Sequence, residues 1–185
     1  LRTIFELNKL YGFKKFIIVV PSVAIREGVT TSIKLMKEHF KGLYDNVAFD
    51  DFVYQSKDLS RVRQFAVNNE VQIMVINIQA FQKDAGESVD YAALTDEQRK
   101  KLNVIHQEQD KMSGRRPIEY VQATRPILII DEPQSVDNTP KSQKAISNLN
   151  PLFALRYSAT HTNPYNLLYQ LDPIRAYDMR IVKQI

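Results

Sequence analysis

Two short strings carry residues of a type and spacing that could do chemistry. Asp131-Glu132-Pro133-Gln134 stands directly behind the apolar run Ile127-Leu128-Ile129-Ile130, and Ser158-Ala159-Thr160-His161 directly behind Leu152-Phe-Ala-Leu-Arg-Tyr157. A buried strand that ends in two adjacent acids sets a carboxylate pair at the carboxyl edge of a sheet, where open α/β folds bind their ligands. Such a pair suits phosphoryl chemistry. The first acid can hold a hydrated Mg²⁺ against a triphosphate, and the second can orient or deprotonate an attacking water. The plainer reading is that any strand needs a polar residue where it leaves the sheet. The second string bears on the choice, because two neighbouring strands would bring Ser158 and Thr160 near Asp131.

These groups need one domain to position them. The 185 residues are 44% hydrophobic with only five Gly and eight Pro, a composition that builds one core and is neither disordered nor fibrous. Lys and Arg number 25 against 21 acids, and the resulting charge of +4 permits polyanion binding without demanding it. The absence of cysteine excludes a disulfide framework, a Cys-ligated zinc and a thiol nucleophile. His39, His106 and His161 have no metal-ligand spacing. The longest apolar stretch, Phe16 to Val20, is too short to cross a bilayer, and no signal-peptide pattern opens the chain. A cytoplasmic protein without a membrane partner is expected.

Leu1, Ile4, Phe5, Leu7 and Leu10 place an apolar stripe on a helix ended by Tyr11-Gly12, with no cap before it, so the chain is expected to begin inside that helix. Phe16 to Val20 reads as a buried strand stopped by Pro21, and Ser22 as the cap of a helix through about Phe40. Strands are expected at Val47 to Tyr54, Val71 to Ile76 and Leu152 to Tyr157, with helices at Leu59 to Val67 and Lys141 to Leu149. This alternation implies a parallel sheet with right-handed crossovers and helices on both faces.

Residues 82–125 break the rhythm with many charges and few large apolar groups, and read as a charged helical insertion. Thr95-Asp-Glu-Gln98 has the form of a capping box, which predicts a helix from about Asp96 to Met112, followed by a turn at Ser113-Gly114. The basic patch Lys111, Arg115 and Arg116 is either a nucleic-acid contact or a solvated face. A short helix is expected over Tyr165 to Leu171. Residues 1–172 form the domain, and residues 173–185 read as an exit segment.

Val20-Pro21-Ser22, Ile78-Gln79-Ala80-Phe81, Asp131-Glu132-Pro133-Gln134 and Ser158-Ala159-Thr160-His161 follow one another in the order of the motifs of superfamily-2 helicases. The Asp-Glu-Pro-Gln form, with Val20-Pro-Ser-Val-Ala-Ile-Arg-Glu-Gly28, resembles most closely the restriction (Res) subunit of type III restriction-modification enzymes, over nearly the whole chain. The resemblance implies a partial RecA-like first motor domain that uses ATP and Mg²⁺ to move or switch on double-stranded DNA. It also implies a modification (Mod) methyltransferase subunit as partner and a separate nuclease domain for cleavage.

By the same resemblance Asp131 holds Mg²⁺ through its water shell and Glu132 activates the attacking water. Gln134 senses the nucleotide or couples it to DNA, unless it is a loop amide satisfying backbone groups. Ser158, Thr160 and His161 transmit nucleotide state, the alternative being local capping of a turn or a satisfied polar residue. Pro21, Ser22 and Arg26 lie along the DNA backbone and Gln79 and Phe81 in a second such segment, although Arg26 reads equally as a surface cation and Phe81 as core packing rather than base stacking. The family's Gly-x-Gly-Lys-Thr phosphate loop is absent from the 185 residues and would lie upstream of Leu1. The fragment is therefore expected to bind ATP weakly and not to turn it over.

Two other readings compete. One is the motor of a superfamily-2 DNA helicase without a nuclease. The other is a non-catalytic α/β interaction module, which explains the alternation but not the recurrence of the four strings in helicase order.

Overall fold

The computed structural model, which describes residues 1–84, 90–159 and 166–183, gathers the apolar runs into one five-stranded sheet. The strands are β1 (Lys15–Val20), β2 (Phe49–Val53), β3 (Val71–Asn77), β4 (Ile127–Asp131) and β5 (Phe153–Tyr157). They run in the order β2-β3-β1-β4-β5, and every pairing is parallel. β1 lies in the middle, with Val19 beside Ile76 on one side and Ile130 on the other. A strand so placed is covered above and below, which is why Phe16 to Val20 is an unbroken apolar run rather than an alternating one. The fold is the α/β parallel sheet that the alternation of strands and helices predicted, and it agrees with the RecA-like fold that the resemblance implied.

Side chains divide between the two faces with the period of two that a strand imposes. Phe16, Ile18 and Val20 pack with Ile4 and Phe5 of α1 (Arg2–Tyr11) and with Ile33 and Phe40 of α2 (Val23–Leu43). Ile17 and Val19 pack on the opposite face with Val62 and Phe65 of α3 (Leu59–Val67). Gly12 ends α1 in the left-handed region at φ 74°, a conformation that costs a residue with a Cβ about 1 kcal/mol or more. Ser22 caps α2 as expected, its hydroxyl accepting the Ile25 amide at 3.2 Å.

The segment after β3 departs from expectation. The capping box at Thr95 and Gln98 is present, but the helix it starts, α4 (Asp96–Lys100), lasts five residues instead of reaching Met112. Asn103 is the cause of the break, because it exchanges two hydrogen bonds with Lys83: its amide donates to the Lys83 carbonyl at 2.8 Å and its Oδ1 accepts the Lys83 amide at 2.7 Å. Two short 3₁₀ turns, Val104–His106 and Asp110–Met112, then sink Ile105, His106 and Met112 into the protein. Ser113 and Gly114 turn the chain with positive φ. The basic patch is divided: Arg116 pairs with Glu119 at 2.6 Å and stacks on Tyr91, whereas Lys111 and Arg115 are exposed.

Pro117–Thr124 forms α5, a helix not foreseen, which buries Ile118 and Val121 against α3. Glu119, Gln122 and Thr124, interspersed in its eight positions, conceal the stripe. After β4 come the one-turn helix α6 (Pro133–Val136), also not foreseen, and α7 (Pro140–Asn148), close to its expected range. The helix expected over Tyr165 to Leu171 is absent from 166–171, while Tyr165 lies outside the described residues. The helix α8 (Pro173–Asp178) forms instead where an exit segment was expected, with Asp172 accepting the Arg175 amide at 2.8 Å and Pro173 at the first helical position. No helix among the described residues is long and apolar enough to cross a membrane.

Candidate functional site

In a sheet whose strands all run one way, every carboxyl end falls on one rim. That rim carries the sequence-derived site residues in the order of the strands: Gln79 beyond β3, Pro21 and Ser22 beyond β1, Asp131 and Glu132 at the end of β4, and Ser158 beyond β5. Thr160 and His161 lie outside the described residues.

The acid corner is built by a sharp change of backbone. Asp131 is the last residue of β4, paired in register with Tyr157. Glu132 sits in the left-handed region at φ 49° and ψ 64°, which is rare for a residue with a side chain and is a feature of functional turns. Its amide still donates to the Tyr157 carbonyl at 2.9 Å, so the ladder is kept while the side chain swings off the strand. Pro133 then starts α6 and puts Gln134 beside the glutamate.

Gln134 Nε2 donates to Glu132 Oε2, and the Ser158 hydroxyl donates to Gln134 Oε1 at 2.9 Å while lying 3.4 Å from Glu132 Oε2. The strand end of β5 is thus tied to the second acid through one amide. Asp131 holds its proton more tightly than an ordinary aspartate, because burial and then the charge of Glu132 oppose its ionisation, against a pull in the other direction from the Glu132 amide.

No group of three or more His, Cys, Asp or Glu among the described residues could enclose a metal ion. The donor set nevertheless suits Mg²⁺, which keeps most of its waters and is held by one or two carboxylates together with substrate phosphates. Asp131 and Glu132 supply that pair, and among the described residues neither is ion-paired to a Lys or Arg.

The residues expected along DNA share the rim without touching the acids. The Ser22 oxygen accepts from Ile25, and its proton remains able to donate. Arg26, in the first turn of α2, pairs with Glu27 at 3.0 Å, and its Nε is buried without a partner. Gln79 is exposed in the 3₁₀ turn Ile78–Phe81, while Phe81 is buried in the core with its ring tilted against that of Tyr54.

Tyr157 was missed. It borders Asp131 across the β4–β5 pairing, and its hydroxyl shares a 2.8 Å hydrogen bond with Thr3 of α1. With Asp131 it edges a cleft of about 510 Å³ between α2 and the sheet. The signal available in the sequence was its place immediately before Ser158, at the end of the strand.

The family model described as type III restriction enzyme, res subunit, matches residues 1–163. The chain is 27% identical over 202 residues to the Res subunit of the type III restriction-modification enzyme EcoP15I of Escherichia coli, with 100% of this chain aligned to 19% of that protein. It is 27% identical over 196 residues to the EcoPI Res subunit of Escherichia phage P1, again 100% against 19%. For the StyLTI Res subunit of Salmonella typhimurium the identity is 27% over 177 residues, covering 86% of this chain and 16% of the relative. The chain therefore spans about a fifth of the length of these relatives. With most of its length matched by the family model, and the acid corner lying within the match, this chain belongs to the family of type III restriction enzyme Res subunits.

Proposed function

We propose that this chain is the first motor domain of an ATP-driven translocase on double-stranded DNA, serving a type III restriction endonuclease whose cleavage chemistry lies in a separate nuclease domain. The observation that supports the reading best is the run of contacts from Ser158 through Gln134 to Glu132. It links two strand ends at one rim, as a device that senses hydrolysis must.

Mg²⁺, when bound with ATP, would be held at Asp131 and would supply positive charge that offsets the charge developing on the transferred phosphate. Asp131 would accept hydrogen bonds from the water shell of the ion. Glu132 would accept the proton of the attacking water, its carboxylate steadied by the Gln134 amide. Ser158, with Thr160 and His161, would carry the change in that carboxylate's surroundings into β5. On the DNA side, Pro21, Ser22, Arg26 and Gln79 would follow the phosphate backbone, with the amides at the start of α2 offered to one phosphate. Contacts of that kind read no sequence, so recognition of a site would fall to the Mod methyltransferase partner. A cytoplasmic location follows from that work.

None of the five glycines opens a Gly-Lys-Thr string. Since such a loop supplies most triphosphate contacts, the 185 residues alone should bind Mg-ATP weakly and hydrolyse none. Calorimetry on the isolated chain checks this, and micromolar affinity would contradict it. The motor reading itself is tested on a full-length protein carrying this chain, assembled with its modification subunit. ATP hydrolysis that rises on adding double-stranded DNA is expected, and the absence of any ATP hydrolysis would sink the proposal.

A further inference from the structure

The rim opposite the acids carries a cleft of its own. α3 and α5 pack against each other, and where the last turn of α3 meets α5 they leave a space of about 380 Å³, with Lys15, the first residue of β1, in its lining. This is the amino edge of the sheet, away from the strand ends where open α/β folds take their nucleotides. The volume is that of a site for a small organic molecule.

The walls are apolar. Ala66 and Val67 of α3 line the cleft with Ala123 of α5, and the hydroxyls beside them are spent on backbone: Tyr120 donates to the Met112 carbonyl at 3.3 Å and Thr124 to the Val121 carbonyl at 2.7 Å. Positive charge is what remains. Lys15 and Arg115 both line the cleft, and no described Asp or Glu forms an ion pair with either. The one acid in the lining, Glu119, is already bound by Arg116, through Nε at 2.8 Å and Nη2 at 2.6 Å. Burial, and then Lys14, pull the Lys15 ammonium down to about 8, with no carboxylate acting in the other direction. Lys15 donates to the Phe65 and Asn68 carbonyls, which offsets the negative end of α3 and leaves one of its three protons for a ligand.

We propose that this cleft binds a small aromatic carboxylate, its ring against Ala66, Val67 and Ala123 and its carboxylate held by the Arg115 guanidinium and the Lys15 ammonium. A guanidinium takes a carboxylate through two parallel hydrogen bonds, and the apolar walls cover the ring. Inorganic phosphate has no apolar body to place there, and would exchange its hydration for walls that offer few donors. The proposal uses no nucleotide, no DNA and none of the acid corner, so it and the motor reading can fail separately.

The test is an NMR titration of the 185-residue chain, labelled at its alanine methyl groups, with 2-naphthoate, the neutral 2-naphthamide and inorganic phosphate. Naphthoate is expected to shift the Ala66 and Ala123 methyl resonances and to bind about tenfold more tightly than the amide, the margin of two partly exposed ion pairs. Phosphate should leave both methyl groups unmoved. Arg115→Gln, at an exposed position, should reduce the preference for naphthoate to about threefold. Ala123→Leu, also at an exposed position, should fill the cleft and abolish the response of Ala66 to either aromatic compound. Equal affinity for naphthoate and naphthamide in the unaltered chain overturns the proposal, as do methyl groups unmoved by millimolar naphthoate. A full preference for naphthoate that survives Arg115→Gln, or phosphate that competes with naphthoate at equal concentration, overturns it too.

Discussion

At the scale of single residues, the acid corner is held at some expense of stability. Burial and the neighbouring Glu132 raise the folded pKa of Asp131 above its unfolded value, so the native state holds that proton more tightly than the unfolded chain does. At neutral pH the ionised carboxylate therefore costs stability, and the cost is relieved as pH falls through the folded pKa. Asp131→Asn should accordingly melt at a higher temperature than the unaltered chain at pH 7 in the absence of metal, with the gap closing on acidification. Thermal unfolding followed across pH checks this, and a variant no more stable at pH 7 would count against the account. The identities at this corner were legible in the sequence, because two acids behind four apolar residues are hard to place elsewhere. The left-handed backbone of Glu132 and the part played by Tyr157 were not, since both depend on which strand lies beside β4.

At the scale of elements, the strands were readable because a parallel sheet demands continuous apolar runs, and Phe16 to Val20 and Val71 to Ile76 satisfy nothing else. The helix expected from Asp96 failed for a reason that local pattern does not contain: Asn103 found a backbone partner 20 residues earlier in Lys83. α3 offers a similar long-range contact. Lys15, at the start of β1, donates to the carbonyls of Phe65, at 2.6 Å, and Asn68 at the end of that helix. Burial, and then Lys14, pull the Lys15 ammonium down to about 8, so at neutral pH it is still mostly charged and serves as a cap on the helix's negative end. Lys15→Met keeps the stem and removes the donors, and should cost about 1–2 kcal/mol. Denaturant unfolding gives the loss, and hydrogen exchange should locate it in the last turn of α3. An unchanged unfolding free energy would mean that the cap contributes nothing.

At the scale of the whole molecule, one rim carries both the acids on β4 and the expected DNA contacts on β1 and β3. Parallel strand order puts them there, and that order follows from the alternation of elements, so the convergence was foreseeable while the contacts that complete it were not. If Ser22, Arg26 and Gln79 meet phosphates, DNA binding by the intact protein should weaken steeply with salt and show little dependence on sequence when the modification subunit is left out. Filter binding over a range of salt concentrations checks this, and a flat dependence contradicts it. The central claim concerns Glu132, and it is tested most directly by Glu132→Gln in the full-length protein, assayed both for ATP turnover and for ATP binding. The change keeps the shape of the side chain and removes the base. Turnover should fall by about 100-fold or more while nucleotide binding is retained. A variant that still hydrolyses ATP at a rate near that of the unaltered protein would take Glu132 out of the reaction, and the motor account with it.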